Sequence, residues 1–215
     1  MRNQVKARLE ITGLTPLVIN NIEMADSEGY EYARLAKEIT SKPAKSRTPE
    51  MSEQLHALEW RGSFYESDSI VFPGRNFIRA ITDAARGFKQ GASIDRGAVA
   101  VTEVEIPVLH DGPALSYDKA TGLSYGTVDY KAMYQNKRYR FRSVVNKNPA
   151  SGKKAMVPTM RPILPVWAMS VTVVVFTEIL GWDKFVQIIE AAGAQGIGNG
   201  RKLGFGKFDV VVQQL

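Results

Sequence analysis

The sequence predicts an α+β fold on a βαββαβ plan, and three observations carry that reading. Polar and apolar side chains alternate near both ends of the chain, as in half-buried strands. Two segments between strands carry apolar residues at spacings of three and four, the mark of a helix with one buried face. These elements also follow one another in the same order in the two halves of the chain.

In chain order, Lys6–Gly13 sets Ala7, Leu9 and Ile11 on one face and reads as the first core strand. Leu14–Asn21 continues it after a bend marked by Gly13 and Pro16. The polar stretch 23–49 reads as part loop, with a short helix at Tyr30–Ile39, and Leu58–Tyr65 reads as a strand or hairpin arm. After Pro73-Gly74, Phe77, Ile78, Ile81, Ala84 and Ala85 form the apolar stripe of a helix over 75–87, ended by Gly87. One long strand is expected over Ala98–Leu109, with Pro107 placing it at an edge or near a strand end.

A tyrosine-rich and basic stretch follows, and then a β-branched strand over 167–176, apolar enough to be central. Trp182–Ala192 is an amphipathic helix, and the last strand covers 205–212. With the polar and basic stretches set aside, this βαββαβ order is ferredoxin-like, two helices on one face of an antiparallel sheet. The 215 residues suit one domain, 1–215, with insertions at about 14–70 and 110–165, the second a projecting basic β-hairpin.

Composition narrows the function classes. The net charge is +6, compatible with nucleic acid without requiring it. No cysteine is present, so disulfides, thiolate zinc sites and cysteine nucleophiles are excluded, which fits a reducing cytoplasm. The longest apolar run, Val171–Phe176, is far short of a membrane span, and the start of the chain lacks the apolar core of a signal peptide. Metal-ligand clusters, a phosphate-binding P-loop and a Ser-His-Asp spacing are also missing, so no cofactor, metal or catalytic set is expected.

Two stretches remain as candidate sites. Gly196–Gly206 holds five glycines with Arg201 and Lys202, followed by Lys207. Such a loop can let another backbone approach closely, and its basic residues suit an anionic partner. Plain turn geometry is the other reading, with Gly193 as a helix C-cap and Gly206 opening a strand. From Lys131 to Thr177 there is no acidic residue, while nine basic ones occur, among them Arg138, Arg140, Arg142, Lys147, Lys153, Lys154 and Arg161. Strand alternation would put Arg138, Arg140 and Arg142 on one side, to meet phosphates, and Tyr139 and Phe141 on the other. A solvated cationic face is the alternative. The start of the helix after Pro73-Gly74, with Arg75 and Asn76, is a third place for a phosphate, or merely the start of a packing helix.

The spacing Gly198-x5-Gly204-x-Gly206 before a final apolar strand resembles the glycine-rich loop of the RAMP superfamily, the RNA-binding proteins of CRISPR systems with a ferredoxin-like or RRM-like core. Phe72-Pro73-Gly74-Arg75-Asn76-Phe77-Ile78-Arg79-Ala80 resembles, in part, the opening of the first core helix in the backbone subunits of CRISPR effectors. The resemblance implies a subunit that holds single-stranded guide RNA by its phosphates and assembles beside other copies and sister RAMP subunits in an antiviral ribonucleoprotein. It assigns the loop role to Gly198, Arg201, Lys202 and Gly204, the helix-start role to Arg75 and Asn76, and a thumb role to the hairpin over 138–154. A solitary or phage-borne relative would read the same way. An aromatic pair of the RRM type is not apparent, so backbone tracking is favoured over base stacking.

Two rival classes stand beside it. A RAMP-type endoribonuclease that processes guide RNA would use a histidine, His56 or His110, each of which reads first as a structural or surface residue, and a target-cutting backbone subunit would use a loop aspartate, for which Asp26 after the first strand is the one candidate. A viral or structural assembly protein would use the hairpin for protein contacts.

Overall fold

The alternation at the start of the chain does fold as a strand, with Ala7, Leu9 and Ile11 buried and Lys6, Arg8 and Thr12 exposed. The computed structural model describes residues 3–66, 69–147 and 155–215. The elements begin with β1 (Gln4–Gly13), β2 (Leu17–Val18), α1 (Glu31–Thr40), α2 (Pro49–Gly62), β3 (Tyr65–Glu66), β4 (Ile70–Pro73), α3 (Gly74–Arg86) and α4 (Gly91–Asp95). There follow β5 (Val99–Val101), β6 (Glu105–Pro107), β7 (Leu109–His110), β8 (Ala114–Tyr117), β9 (Ser124–Val128) and α5 (Tyr130–Gln135). The chain continues through β10 (Arg140–Lys147), β11 (Ala155–Leu164), β12 (Trp167–Phe176), α6 (Trp182–Gln195) and β13 (Phe208–Gln214). They group into two compact units, one of Met1–Val18, Glu66–Val128 and Leu164–Leu215, the other of Ile19–Tyr65 and Asp129–Ile163.

The first unit is built on an antiparallel sheet in which β1 lies between β12 and β13, and β5 pairs with the far edge of β12. This α+β arrangement with an antiparallel sheet is consistent with a ferredoxin-like fold. Registers Leu9↔Val171 and Leu9↔Val212 align the buried rows of three strands. Over that face lie α3, through Phe77, Ile81, Ala84 and Ala85, and α6, through Phe185, Ile188, Ile189 and Ala192, all buried, and the two helices pack on each other. Each fully buried Leu, Ile or Phe on this face contributes about 1.5–3 kcal/mol. The other face of β1 and β12 carries Arg8, Glu10, Thr12, Ser170 and Thr172, with one ring, the half-buried Phe176, at its end opposite Gln4.

The long strand expected over Ala98–Leu109 is broken into β5, β6 and β7. The reason is the start of α3. Thr102 still bonds the Thr172 carbonyl, but then the chain turns away: Val104 O accepts the Gly74 N–H at 2.8 Å, and the Glu103 carboxylate accepts the Thr172 N–H at 3.0 Å. From there β6 pairs with β4 instead of β12.

In the second unit the segment Leu58–Tyr65, expected as a strand, lies mostly in α2. Thr48 caps this helix by accepting from the Met51 N–H, and Pro49 occupies its first turn, where its missing donor costs nothing. The apolar residues near its end pack at helical spacing. Trp60 is buried, donates from Nε1 to the Tyr139 carbonyl at 2.7 Å, and meets the Phe64 ring edge-on with centroids 4.9 Å apart. β10 and β11 pair antiparallel from Arg140↔Pro162 to Lys147↔Ala155.

Candidate nucleic-acid interface

Backbone bonding decides what the glycines of the loop do. Ile197 N–H donates to Gly206 O, Asn199 N–H to Val18 O, and Gly206 N–H to Pro16 O. Thr15 ties the tip down from both sides, donating its hydroxyl to Gly204 O and accepting the Lys207 N–H, each at 2.9 Å. The close approach expected of a ligand is here, at Gly198, an approach within the chain. A Cβ on Gly198 would stand 2.7 Å from the Val18 carbonyl oxygen, and its φ is +74°. Gly204 differs: its φ is +89°, yet nothing lies within 4 Å of the place a Cβ would take. The loop is thus a rigid, self-bonded turn whose side chains, more than its N–H groups, face outward. Lys202, Leu203 and Lys207 are exposed.

Asp83, which no motif in the sequence marks, organises the charge here. Its carboxylate accepts from Arg201 at 3.0 Å and from Arg86 at 2.9 Å, and pairs with Arg79 at 3.3 Å. Residues 75, 79, 83 and 86 recur every three or four positions, so Arg75, Arg79 and Arg86 share one stripe of α3 with Asp83. The stripe spans about 16 Å at 1.5 Å per residue and ends at the glycine loop. A cleft of about 460 Å³ opens there, lined by Asp83, Ala194, Gln195, Arg201, Lys202 and Lys207. One carboxylate shared by three guanidiniums leaves an excess of positive charge, so the cleft suits an anion with several oxygens. The part of this cluster within α3, Arg79/Asp83/Arg86 at i, i+4 and i+7, is a local pattern, but its partner Arg201 lies 118 residues away.

At the start of α3, the Gly74 N–H is spent on Val104 O and Gly74 is buried. Arg75 stands exposed, and Asn76 is half-buried and bonded. The helix start therefore offers the Arg75 side chain more than a bare ring of N–H groups.

The basic stretch is less bare than its sequence suggests. Tyr139 is buried, and Lys137–Tyr139 forms a 3₁₀ turn, so Arg138 is not on the strand with Arg140 and Arg142. Arg140 turns inward: it lies 3.6 Å from Glu53 of α2 and 4.9 Å from the Tyr134 ring centroid. The Tyr134 hydroxyl donates to Glu53 at 2.8 Å, and burial with this carboxylate contact pushes its pKa up to about 12. Arg161 is opposite Phe141 and therefore on the other face from Arg142; burial lowers its pKa while nearby Glu59 opposes that shift. Acids absent from the stretch are thus supplied by α2. Arg138 and Arg142 are exposed; Lys153 and Lys154 and the side chain of Lys147 lie outside the described residues.

His56 Nδ1 is 4.0 Å from Glu53 on α2. His110 is fully buried, its Nδ1 accepts the Gly112 N–H at 3.0 Å, and burial lowers its pKa to about 4. Asp26 accepts the N–H groups of Glu28 and Gly29, which close a turn and hold its carboxyl below the ordinary range. Among the described residues no three His, Asp or Glu side chains gather as a metal would need, and no helix is long and apolar enough to cross a membrane.

No family model and no curated protein matches this chain. Among solved structures, the chain is similar to the type III-B Cmr-beta complex bound to cognate target RNA, at 12% identity and a TM-score of 0.45, over 98% of this chain and 61% of the other. It is also similar to Cmr6 from Pyrococcus furiosus, at 11% identity and a TM-score of 0.33 over the full length of both. The chain thus spans about three-fifths of the first of these proteins, and likeness at this level fixes neither family nor function.

Proposed function

We propose that this chain is an RNA-binding, backbone-type subunit that holds single-stranded RNA by its phosphates. The observation that carries the reading is the cationic track formed by Arg75, Arg79 and Arg86 on α3 and by Arg201, Lys202 and Lys207 at the glycine loop. A row of guanidiniums on a helix, ending at ammonium groups on a rigid turn, meets more than one phosphate of a strand and reads no base. The solvent face of β1 and β12 carries one ring, the half-buried Phe176 opposite Gln4, and not the aromatic pair of the RRM mode, which favours backbone tracking. The resemblance of the glycine loop and of the Pro73-Gly74 segment to RAMP proteins supports a guide RNA as the strand, a ferredoxin-like core, and assembly beside further copies and sister subunits in a CRISPR-type ribonucleoprotein. The role proposed is binding, not cleavage.

The test is titration of labelled single-stranded RNA at several salt concentrations. Affinity is expected to fall with salt at a log–log slope of about −0.7 per phosphate neutralised. Arg201→Glu with Lys202→Glu is expected to weaken binding about 30-fold or more and to flatten that slope while the circular dichroism spectrum stays unchanged. Salt-independent binding, or a double variant that binds as the parent does, refutes the reading. RNA shortened during the titration would instead favour the endoribonuclease, with His56→Ala as the control.

A further inference from the structure

The second unit holds a pocket of about 320 Å³ that the proposed phosphate track does not use. Its size is at the lower end for pockets that take small organic ligands, about 300–1,000 Å³. Ile22, Met24 and Met160 supply apolar, polarizable walls, and Ile22 is 66% exposed, an aliphatic side chain left to water at the rim. Asn20, Glu59 and Arg161 supply the polar edge.

The polar edge is ordered. Glu59 Oε2 accepts the backbone N–H of Met160 at 3.0 Å, which fixes the carboxylate between α2 and β11. Arg161, next along β11, lies within the electrostatic reach of that carboxylate. The Asn20 side-chain amide has no hydrogen-bond partner among the described residues. A carboxylate beside a guanidinium, between apolar walls, asks for a flat ligand with two donors next to its acceptors.

We propose that this pocket binds a guanine base, with Glu59 accepting from N1–H and N2–H and with Arg161 and Asn20 donating to O6 and N7. Guanine sets two adjacent donors beside an O6/N7 acceptor pair, and Arg to O6/N7 is the commonest specific contact to that base. Adenine presents one exocyclic donor flanked by acceptors, cytosine sets an acceptor beside its donor, and uracil flanks its one N–H with two carbonyls. Each of these turns a lone pair toward the carboxylate, which has no proton to give. The base comes either from a free nucleotide or from one unstacked residue of a bound strand; the latter source rests on the RNA reading above.

The test is calorimetric titration of the full chain with GMP, AMP, CMP and UMP. GMP is expected to bind at least about ten-fold more tightly than the other three. Glu59→Gln replaces one acceptor by a donor and is expected to bring GMP within about three-fold of AMP. Asn20→Ala leaves every described hydrogen bond of the fold in place and is expected to weaken GMP several-fold, so it carries the test should Glu59→Gln unfold. Absence of binding at millimolar GMP, equal binding of the four nucleotides, or a preference for GMP untouched in both variants overturns the proposal.

A parallel titration with a uridine dodecamer and with the same strand carrying one guanosine separates the sources. Tighter binding of the guanosine strand, lost in Asn20→Ala, supports a base delivered by RNA. If neither strand binds while GMP keeps its preference, the pocket is a mononucleotide site and the RNA reading falls. If the uridine strand binds with salt dependence while GMP shows no preference, the pocket proposal alone falls.

Discussion

Gly198 and Gly204 look alike in the sequence, six residues apart in one basic loop, and the structure gives them different work. Both hold positive φ, which costs a residue with a side chain about 1–2 kcal/mol. Only Gly198 also faces a carbonyl, that of Val18, at a distance no Cβ tolerates. Gly198→Ala is therefore expected to cost about 3 kcal/mol and Gly204→Ala about 1 kcal/mol, measured by denaturant unfolding. Equal costs would show that the loop is not braced on β2. His110 makes a second residue-scale prediction. Its pKa falls from 6.5 to about 4 because it is buried, and its Nε2 has no partner among the described residues. Below pH 6.5 the unfolded chain takes up a proton that the folded chain refuses until about pH 4, so stability is present above that window and declines across it. At about 1.4 kcal/mol per pKa unit the loss approaches a few kcal/mol. Melting temperatures from pH 7 to pH 4 are expected to fall less steeply in His110→Gln than in the parent.

At the scale of the element, α3 is a packing helix and a charged track at once. Its buried stripe was legible from the spacing of Phe77, Ile81, Ala84 and Ala85, because apolar periodicity depends only on neighbours along the chain. Its outward stripe was half legible. Arg79, Asp83 and Arg86 are local partners, but Arg201 reaches Asp83 only when α6 and the loop after it have packed on the sheet. Asp83 occupies these cations in the absence of a ligand. Asp83→Asn frees them and is expected to tighten RNA about three-fold and to steepen the salt dependence, at a stability cost of about 1 kcal/mol. Weaker binding in that variant would mean that Asp83 positions Arg201 for the phosphate instead of competing with it. The basic hairpin taught the reverse lesson. A stretch free of acids in sequence meets Glu53 and Glu59 of α2 in space, so Arg140 and Arg161 are half-buried while Arg142 remains exposed.

At the scale of the whole molecule, the first unit rests on β1 and β12, which are flanked by strands and covered by helices on one face. Their amides are expected to exchange slowest with solvent, and those of β8 and β9, where Leu115 and Tyr117 are exposed, much faster. Uniform exchange would contradict a sheet centred on β1. The sequence alone determined the α+β class, the first strand, the strand over 167–176 and the two amphipathic helices, because alternation and helical spacing are properties of adjacent residues. It also located the glycine loop. Only the tertiary structure decided that Leu58–Gly62 is helix, where Trp60 bonds the Tyr139 carbonyl, and that Ala98–Leu109 breaks where it bonds the start of α3. The same holds for Asp83 gathering Arg201, and for Asn20, Glu59 and Arg161 meeting around one pocket. These are contacts between residues tens to more than a hundred positions apart, set by how packed elements bring side chains together, and no local pattern in a single chain encodes them.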